Sequence, residues 1–254
     1  MSKLCIKKIG IVSALIASLV SSQPSWAKKV QVAVASNFAT AIGPLATLFE
    51  TQSNHKLLVS LGSTGKHFAQ ITQGAPFDVF LSADSARPKA LEDQGKTIGN
   101  RFNYATGELI LLSYRSETEP LVGRLSNANF NLIAIANPKL SPFGRAAQQV
   151  LQKLYLWEKL SPKIVRGENI NQAFQFVYTG NAQLGLIAKS QLQKISSASP
   201  DQYWIIPKTY YEPIIQQAVL LTDNSAAKEF TEFLQSPQAI TIIKSLGYGA
   251  PYAR

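Results

Sequence analysis

The sequence predicts an α/β protein built as two lobes around a cleft, and three observations carry that reading. Short apolar runs alternate with segments of helical spacing along the whole chain, the pattern of a largely parallel sheet flanked by helices. A first set of strand–helix units ends near Gly107, and a similar second set follows it. A late apolar run at 214–221 then returns to the first set, so the chain crosses between lobes twice, near Glu108 and near Pro213. Lobes joined in this way can bend as a hinge around the cleft.

The expected boundaries are 28–108 plus 214–254 for the first lobe and 109–213 for the second. Ahead of them, residues 1–27 read as a cleaved secretory signal. Lys3, Lys7 and Lys8 form a basic start, 9–20 is an apolar run, and Ser25-Trp26-Ala27 is a small-x-small cleavage site. The run is shorter than the ~20 residues of a membrane span, and no later stretch approaches that length. Cleavage leaves about 227 residues, enough to bury a core without disulfides. It also removes Cys5, the only cysteine, and with it any disulfide, thiolate nucleophile or cysteine metal ligand. Three of the 25 basic residues and none of the 15 acidic ones lie in the signal, leaving a surplus of seven positive charges. That surplus suits attraction of anions. It forms no basic block and no aromatics interleave with it, so nucleic acid is not expected.

The elements follow in order. A strand at 30–35 precedes an amphipathic helix at 39–52 with Ile42, Leu45, Ala46 and Phe49 on one face. A strand at 57–61 precedes a short helix at 66–73 ended by Gly74, and a buried strand at 77–82 precedes a helix at 87–94 stopped by Gly95. In the second lobe, 109–114 and 132–135 are strands, and a helix opens at Pro142-Phe143-Gly144 and reaches about Leu154. A helix at 171–179 ends at Gly180, a strand spans 184–188, and after the return strand a helix pair fills 226–246.

Two strand-to-helix turns concentrate the chemistry: Ala35-Ser36-Asn37-Phe38 and Gly62-Ser63-Thr64-Gly65. Each sets hydroxyls where the next helix leaves its first N–H groups without partners. On neighbouring parallel strands they would aim two sets of donors at one point, the arrangement that holds small anions. As a phosphate loop the second turn fails, because Ser60 and His67 stand where glycine and Ser or Thr are required. Ser63-Thr64-Gly65-Lys66 also fits the S-x-x-K pair of penicillin-binding enzymes, whose further S-D-N and K-T-G elements do not occur here. Neutral donation at a helix start is the remaining role. His55 and His67 show no metal-ligand spacing and read as surface histidines. Asp78 and Asp84 read as hydrogen-bonded structural carboxylates, and Tyr203, Trp204, Tyr210 and Tyr211 as hinge-side core packing. No catalytic pair stands out.

Taken together, the motifs resemble the molybdate-binding proteins of bacterial molybdate importers. The matching strings are A-S-N-F at 35–38, L-G-S-T-G-K at 61–66, Q-G-A-P-F-D-V-F-L-S-A-D at 73–84, A-N-P at 136–138 and P-F-G at 142–144. L-S-P-K at 160–163, G-E-N-I at 167–170, L-G-L-I-A-K-S at 184–190 and F-L-Q-S-P-Q-A at 233–239 complete the set over nearly the whole mature chain. The resemblance implies a two-lobed periplasmic-binding-protein fold with the oxyanion in the cleft. By position, Ser36 and Asn37 would donate from the first turn and Thr64, beside Ser63, from the second. Phe143 and Ile170 would give backbone N–H groups from the second lobe. One branch of the family brings a tyrosine hydroxyl to the ligand from the strand at 184–188; Ala188 fills that place here and becomes a lining position.

The resemblance further implies a periplasmic monomer that captures molybdate and tungstate for a membrane permease, with no cofactor and no enzymatic activity. Molybdenum would enter only as the oxyanion, without direct metal ligands. A binder of another oxyanion such as sulfate stays open, as does an acyl-transferase using Ser63 and Lys66. Physically, a tetrahedral dianion asks for ~7–8 donors at roughly 1.5–3 kcal/mol each. Association losses of roughly 4–15 kcal/mol leave room for micromolar or tighter binding. N–H donors cannot accept a bond, so fully ionised oxyanions are expected to be preferred.

Overall fold

The computed structural model describes residues 27–115, 119–195 and 199–250. All but the last position of the expected signal lies outside them. Strand β1 (Lys29–Ala35) leads through a single 3-10 turn, Ser36–Phe38, into α1 (Ala39–Ser53). Strand β2 (Lys56–Gly62) leads into α2 (Thr64–Thr72), and β3 (Val79–Ser82) into α3 (Ala86–Asp93). Strand β4 (Ile98–Gly107) then runs to the first crossing. Beyond it come β5 (Leu109–Ser113), α4 (Leu121–Asn127), β6 (Ile133–Ala136), α5 (Pro142–Lys153), α6 (Trp157–Leu160), β7 (Ile164–Gly167), α7 (Ile170–Tyr178), β8 (Leu184–Ala188) and β9 (Tyr203–Ile205). The chain returns with β10 (Ile214–Leu220) and ends in α8 (Ser225–Leu234) and α9 (Pro237–Ser245).

Among the described residues two five-stranded sheets result, ordered β2-β1-β3-β10-β4 and β7-β6-β8-β5-β9. In each, one strand opposes the rest: β10 runs antiparallel to β3 and β4, and β5 antiparallel to β8 and β9. Each odd strand is the one that follows a crossing, because it enters its sheet from the cleft end. The expectation of largely parallel sheets therefore holds except where the chain changes lobe.

Period-2 alternation distributes the first lobe's core to both faces of its sheet. Val30, Val32 and Val34 pack with Ile42, Leu45, Phe49 and Phe230 from α1 and α8. Ala33 and Phe80 meet Ile71 and Leu91 from α2 and α3 on the other face. The second sheet is apolar on both faces, as in the fully buried β5, β6 and β8, and has its own continuous core. The aromatic cluster packs there: Trp204 and Tyr210 meet edge to face at 6.3 Å, and the Tyr211 hydroxyl accepts the Leu109 N–H at 3.1 Å. Strands β4, β7 and β9 and helices α4 and α6 had no counterpart in the sequence reading. The outer half of β4 carries exposed Gly99 and Asn100 and half-buried Arg101 and Asn103, which hide any alternation. Among the described residues no helix is long and apolar enough to cross a membrane.

Candidate functional site

Register fixes the geometry of the first lobe's turns. Strands β1 and β2 are parallel neighbours with Ala35 opposite Gly62, so Ser36-Asn37 and Ser63-Thr64 leave the same sheet edge side by side. The second lobe repeats the device: β6 and β7 are parallel with Ala136 opposite Gly167, and each feeds a helix start at that edge. Ser36, Asn37, Ser63, Thr64, Phe143, Ile170 and Ala188 are all between 1% and 4% exposed, sequestered although most carry polar function.

The capping of the helices decides which N–H groups remain. At α2 the Ser63 hydroxyl accepts from Lys66 N at 3.3 Å and its carbonyl from His67 N at 3.1 Å. Gly65 N donates to the Leu140 carbonyl at 2.9 Å, leaving the Thr64 N–H. At α5 Pro142 has no N–H, Ser141 Oγ accepts from Gly144 N at 3.4 Å and Ser141 O from Arg145 N at 3.0 Å, leaving Phe143. At α7 Asn169 Oδ1 accepts from Asn171 N at 3.0 Å and Gln172 N at 3.1 Å, and Asn169 O from Ala173 N at 3.2 Å, leaving Ile170. Each helix thus presents a single N–H with no acceptor among the described residues, and each belongs to a buried residue. A buried donor without a partner costs roughly 1–3 kcal/mol. N–H groups left over at the positive ends of three helices are suited to an oxyanion as acceptor.

Side chains refine the picture. Thr64 Oγ1 accepts the Ala83 N–H at 3.2 Å, which leaves its own proton to donate. Asn37 turns inward instead: its Nδ2 donates to Gln216 Oε1 at 2.7 Å, beside the Tyr104 hydroxyl, which lies 3.1 Å from the same oxygen. The Asn37 Nδ2 is therefore spent inside the first lobe. Ala188 gives no donor, since its N–H is spent on Gln191 Oε1 at 3.1 Å.

The lobes meet across the cleft. Besides the Gly65–Leu140 hydrogen bond, Arg87 Nη2 donates to the Lys139 carbonyl at 3.2 Å and Arg145 Nη2 to Asp84 Oδ2 at 3.4 Å. The same Asp84 carboxylate pairs with Arg87 within its own lobe. Lys66 Nζ reaches Glu168 Oε1 at 3.0 Å, and helix α7 packs on the Ser36–Phe38 turn. Lys66 Nζ is thus engaged with Glu168 of the other lobe. At the crossing, Glu108 holds Lys189 at 2.6 Å and Lys208 at 3.0 Å. Burial raises its carboxyl pKa, but the two ammonium partners outweigh that and leave it below the ordinary value. Phe143 packs its ring so closely on Gly107 that a Cβ there would stand 2.6 Å from Cζ.

One expectation is corrected. His55 and His67 are buried, not surface residues. His55 Nδ1 accepts the Lys28 N–H at 3.3 Å, and its Nε2 faces Glu229 at 3.3 Å. His67 lies beneath the second turn, its ring edge-on to Phe77 and its Nδ1 3.2 Å from Gln70 Oε1. Asp78 does prove structural, with Oδ2 accepting from Gln31 N at 2.7 Å and Oδ1 from the Thr222 hydroxyl at 2.5 Å. Tyr104, Gln216, Gln191 and Tyr248, which brace the turns, escaped the sequence reading. The paired glutamines 216 and 217 inside an apolar strand were the one local signal of them.

Against known proteins, residues 30–249 match the family model of bacterial extracellular solute-binding proteins. The molybdate-binding protein ModA of Azotobacter vinelandii is 46% identical over 228 residues, 88% of this chain and 90% of the relative. ModA of Rhodobacter capsulatus is 41% identical over 229 residues, covering 89% and 90% respectively. Among solved structures, the periplasmic molybdate-binding protein of A. vinelandii superimposes with a TM-score of 0.83 at 37% identity, over 88% of this chain and 100% of that one.

Proposed function

This chain belongs to the ModA family of periplasmic molybdate-binding proteins, and on that premise we propose that it captures molybdate in the interlobe cleft for an ABC importer. The observation that carries the site is the set of three buried N–H groups, on Thr64, Phe143 and Ile170, left over after every cap is counted. Hydroxyls of Ser36, Ser63 and Thr64 and the backbone at Asn37 add donors from the first lobe, and Ala188 closes the wall. The oxyanion is cargo, not a cofactor.

Recognition by neutral donors has two consequences. Strength comes from the number of charge-assisted bonds in a dry cleft, not from a countercharge. A protonated oxyanion offers these donors less negative charge and one oxygen turned from acceptor to donor, so the dianion is preferred. Tungstate, with the same charge and shape, binds as well. The protein is exported by the segment 1–27, works as a monomer without catalysis, and presents its closed form to a membrane permease. Residues 28–108 with 214–254 and residues 109–213 move as the two jaws.

Calorimetric titration with molybdate, tungstate, sulfate and phosphate tests the reading. Micromolar or tighter binding of the first two, with weak or no heat from the others, is expected. Sulfate binding of equal strength would overturn the assignment of cargo.

A further inference from the structure

The donor turn of each lobe is held from its carbonyl side by a buried side chain that arrives from a later part of the chain. On the first lobe the Tyr248 hydroxyl donates to the Asn37 carbonyl at 2.6 Å. Its ring lies edge-on to Phe38 at 5.1 Å, and Phe38 edge-on to Tyr104 at 4.8 Å. Tyr248 is itself fixed beside the hinge strand. Gly249 and Thr106 exchange backbone hydrogen bonds at 3.0 and 3.2 Å, and Thr106 Oγ1 donates to the Ala250 carbonyl at 3.3 Å. On the second lobe the fully buried Gln191 spans two elements. Its Oε1 accepts from Ala188 N at 3.1 Å, while its Nε2 donates to the Ile170 carbonyl at 3.3 Å and to Asn171 Oδ1 at 3.0 Å.

We propose that Tyr248 and Gln191 are positioning residues of the anion site, one for each lobe. The inference rests on the cleft being an oxyanion site. Neither side chain needs to touch the ion. A peptide group is planar, so pinning the carbonyls of Asn37 and Ile170 fixes the peptide that follows each residue and thereby restrains the ψ of the residue whose own N–H is to be held toward the cleft. Burial pushes the Tyr248 hydroxyl pKa well up, so it remains a donor across the working pH range. Both residues also sit where the lobes meet: Gly247, next to Tyr248, is in van der Waals range of Ser190, next to Gln191, with a Cβ on the glycine falling 3.5 Å from the Ser190 Cα. Loosening either turn therefore costs alignment in the closed state, where all donors must converge.

The test uses Tyr248→Phe, which keeps the ring, and Gln191→Met, which keeps the volume. Each is titrated calorimetrically beside the parent with molybdate, tungstate and sulfate, and the ligand-free proteins are melted. Each variant should bind the parent's preferred oxyanion about tenfold more weakly, the loss of about one hydrogen bond's worth of alignment. A lowered melting temperature with unchanged Kd would make both side chains framework alone and overturn the proposal. Should one variant fail to fold, the other decides. A parent that prefers sulfate refutes the cargo, and the variants are then read with sulfate. A parent that binds none of the three overturns both readings.

Discussion

At Thr64, one hydroxyl does two jobs. Its oxygen accepts the Ala83 N–H, tying α2 to the end of β3, and its proton is left for the cleft. Thr64→Ser keeps both bonds and should hold the molybdate Kd within about threefold, whereas Thr64→Ala should raise it about tenfold. Calorimetry separates the two; equal losses in both would mean that the methyl, not the hydroxyl, matters. Ser36→Ala should likewise weaken binding about tenfold. His67 acts on stability instead. Burial holds its pKa below the ordinary 6.5. The unfolded chain therefore takes up the proton first, so stability is full above that value and declines as pH falls through it toward the lowered folded-state pKa. Thermal melts from neutral pH to about pH 5 should show this decline, and His67→Gln should flatten it. Hydroxyls at strand ends made Ser36, Ser63 and Thr64 legible in the sequence. Tyr248 was not, because its partner Asn37 lies 211 positions away and no local pattern encodes such a contact. Histidine burial was misread for a related reason: it depends on the space above Gly62, where a Cβ would stand 2.8 Å from His67 Nε2.

Among the elements, the helix starts divide their N–H groups between caps and cleft, and α2 gives one across the lobes. Gly65 makes that possible, since a Cβ would lie 3.0 Å from the Leu140 oxygen that its N–H reaches. Gly65→Ala should therefore resist closure and weaken molybdate binding severalfold or more, with the ligand-free melt near the parent's. The neighbouring Lys66–Glu168 pair should matter far less. Both side chains are about half exposed, and exposed pairs contribute about 0–1 kcal/mol. Lys66→Gln should change Kd by about threefold at most, a difference that calorimetry in added salt would shrink further. Strongly periodic and fully apolar elements such as α1, β5 and β8 were readable before the fold was known. Strand β4 was not, because an edge strand tolerates polar residues on its exposed half.

For the whole molecule, the hinge is the point. Both crossings flank the cleft, and the contacts that span it join turns that are otherwise independent of each other. Molybdate should pull the lobes together, and small-angle scattering should record a smaller radius of gyration with ligand than without. An unchanged radius would mean that the closed arrangement exists without the ion. By itself the sequence determined the two-lobed α/β plan, the return strand and the hydroxyl-bearing turns, because periodicity, caps and strand ends are local properties. Only the tertiary structure decided which donors remain. Parallel register puts Ser36 beside Ser63-Thr64, and capping spends all but one N–H at each of α2, α5 and α7. Burial then makes those remaining donors costly to leave unpaired, and that energetic demand exists only once distant segments have packed over them.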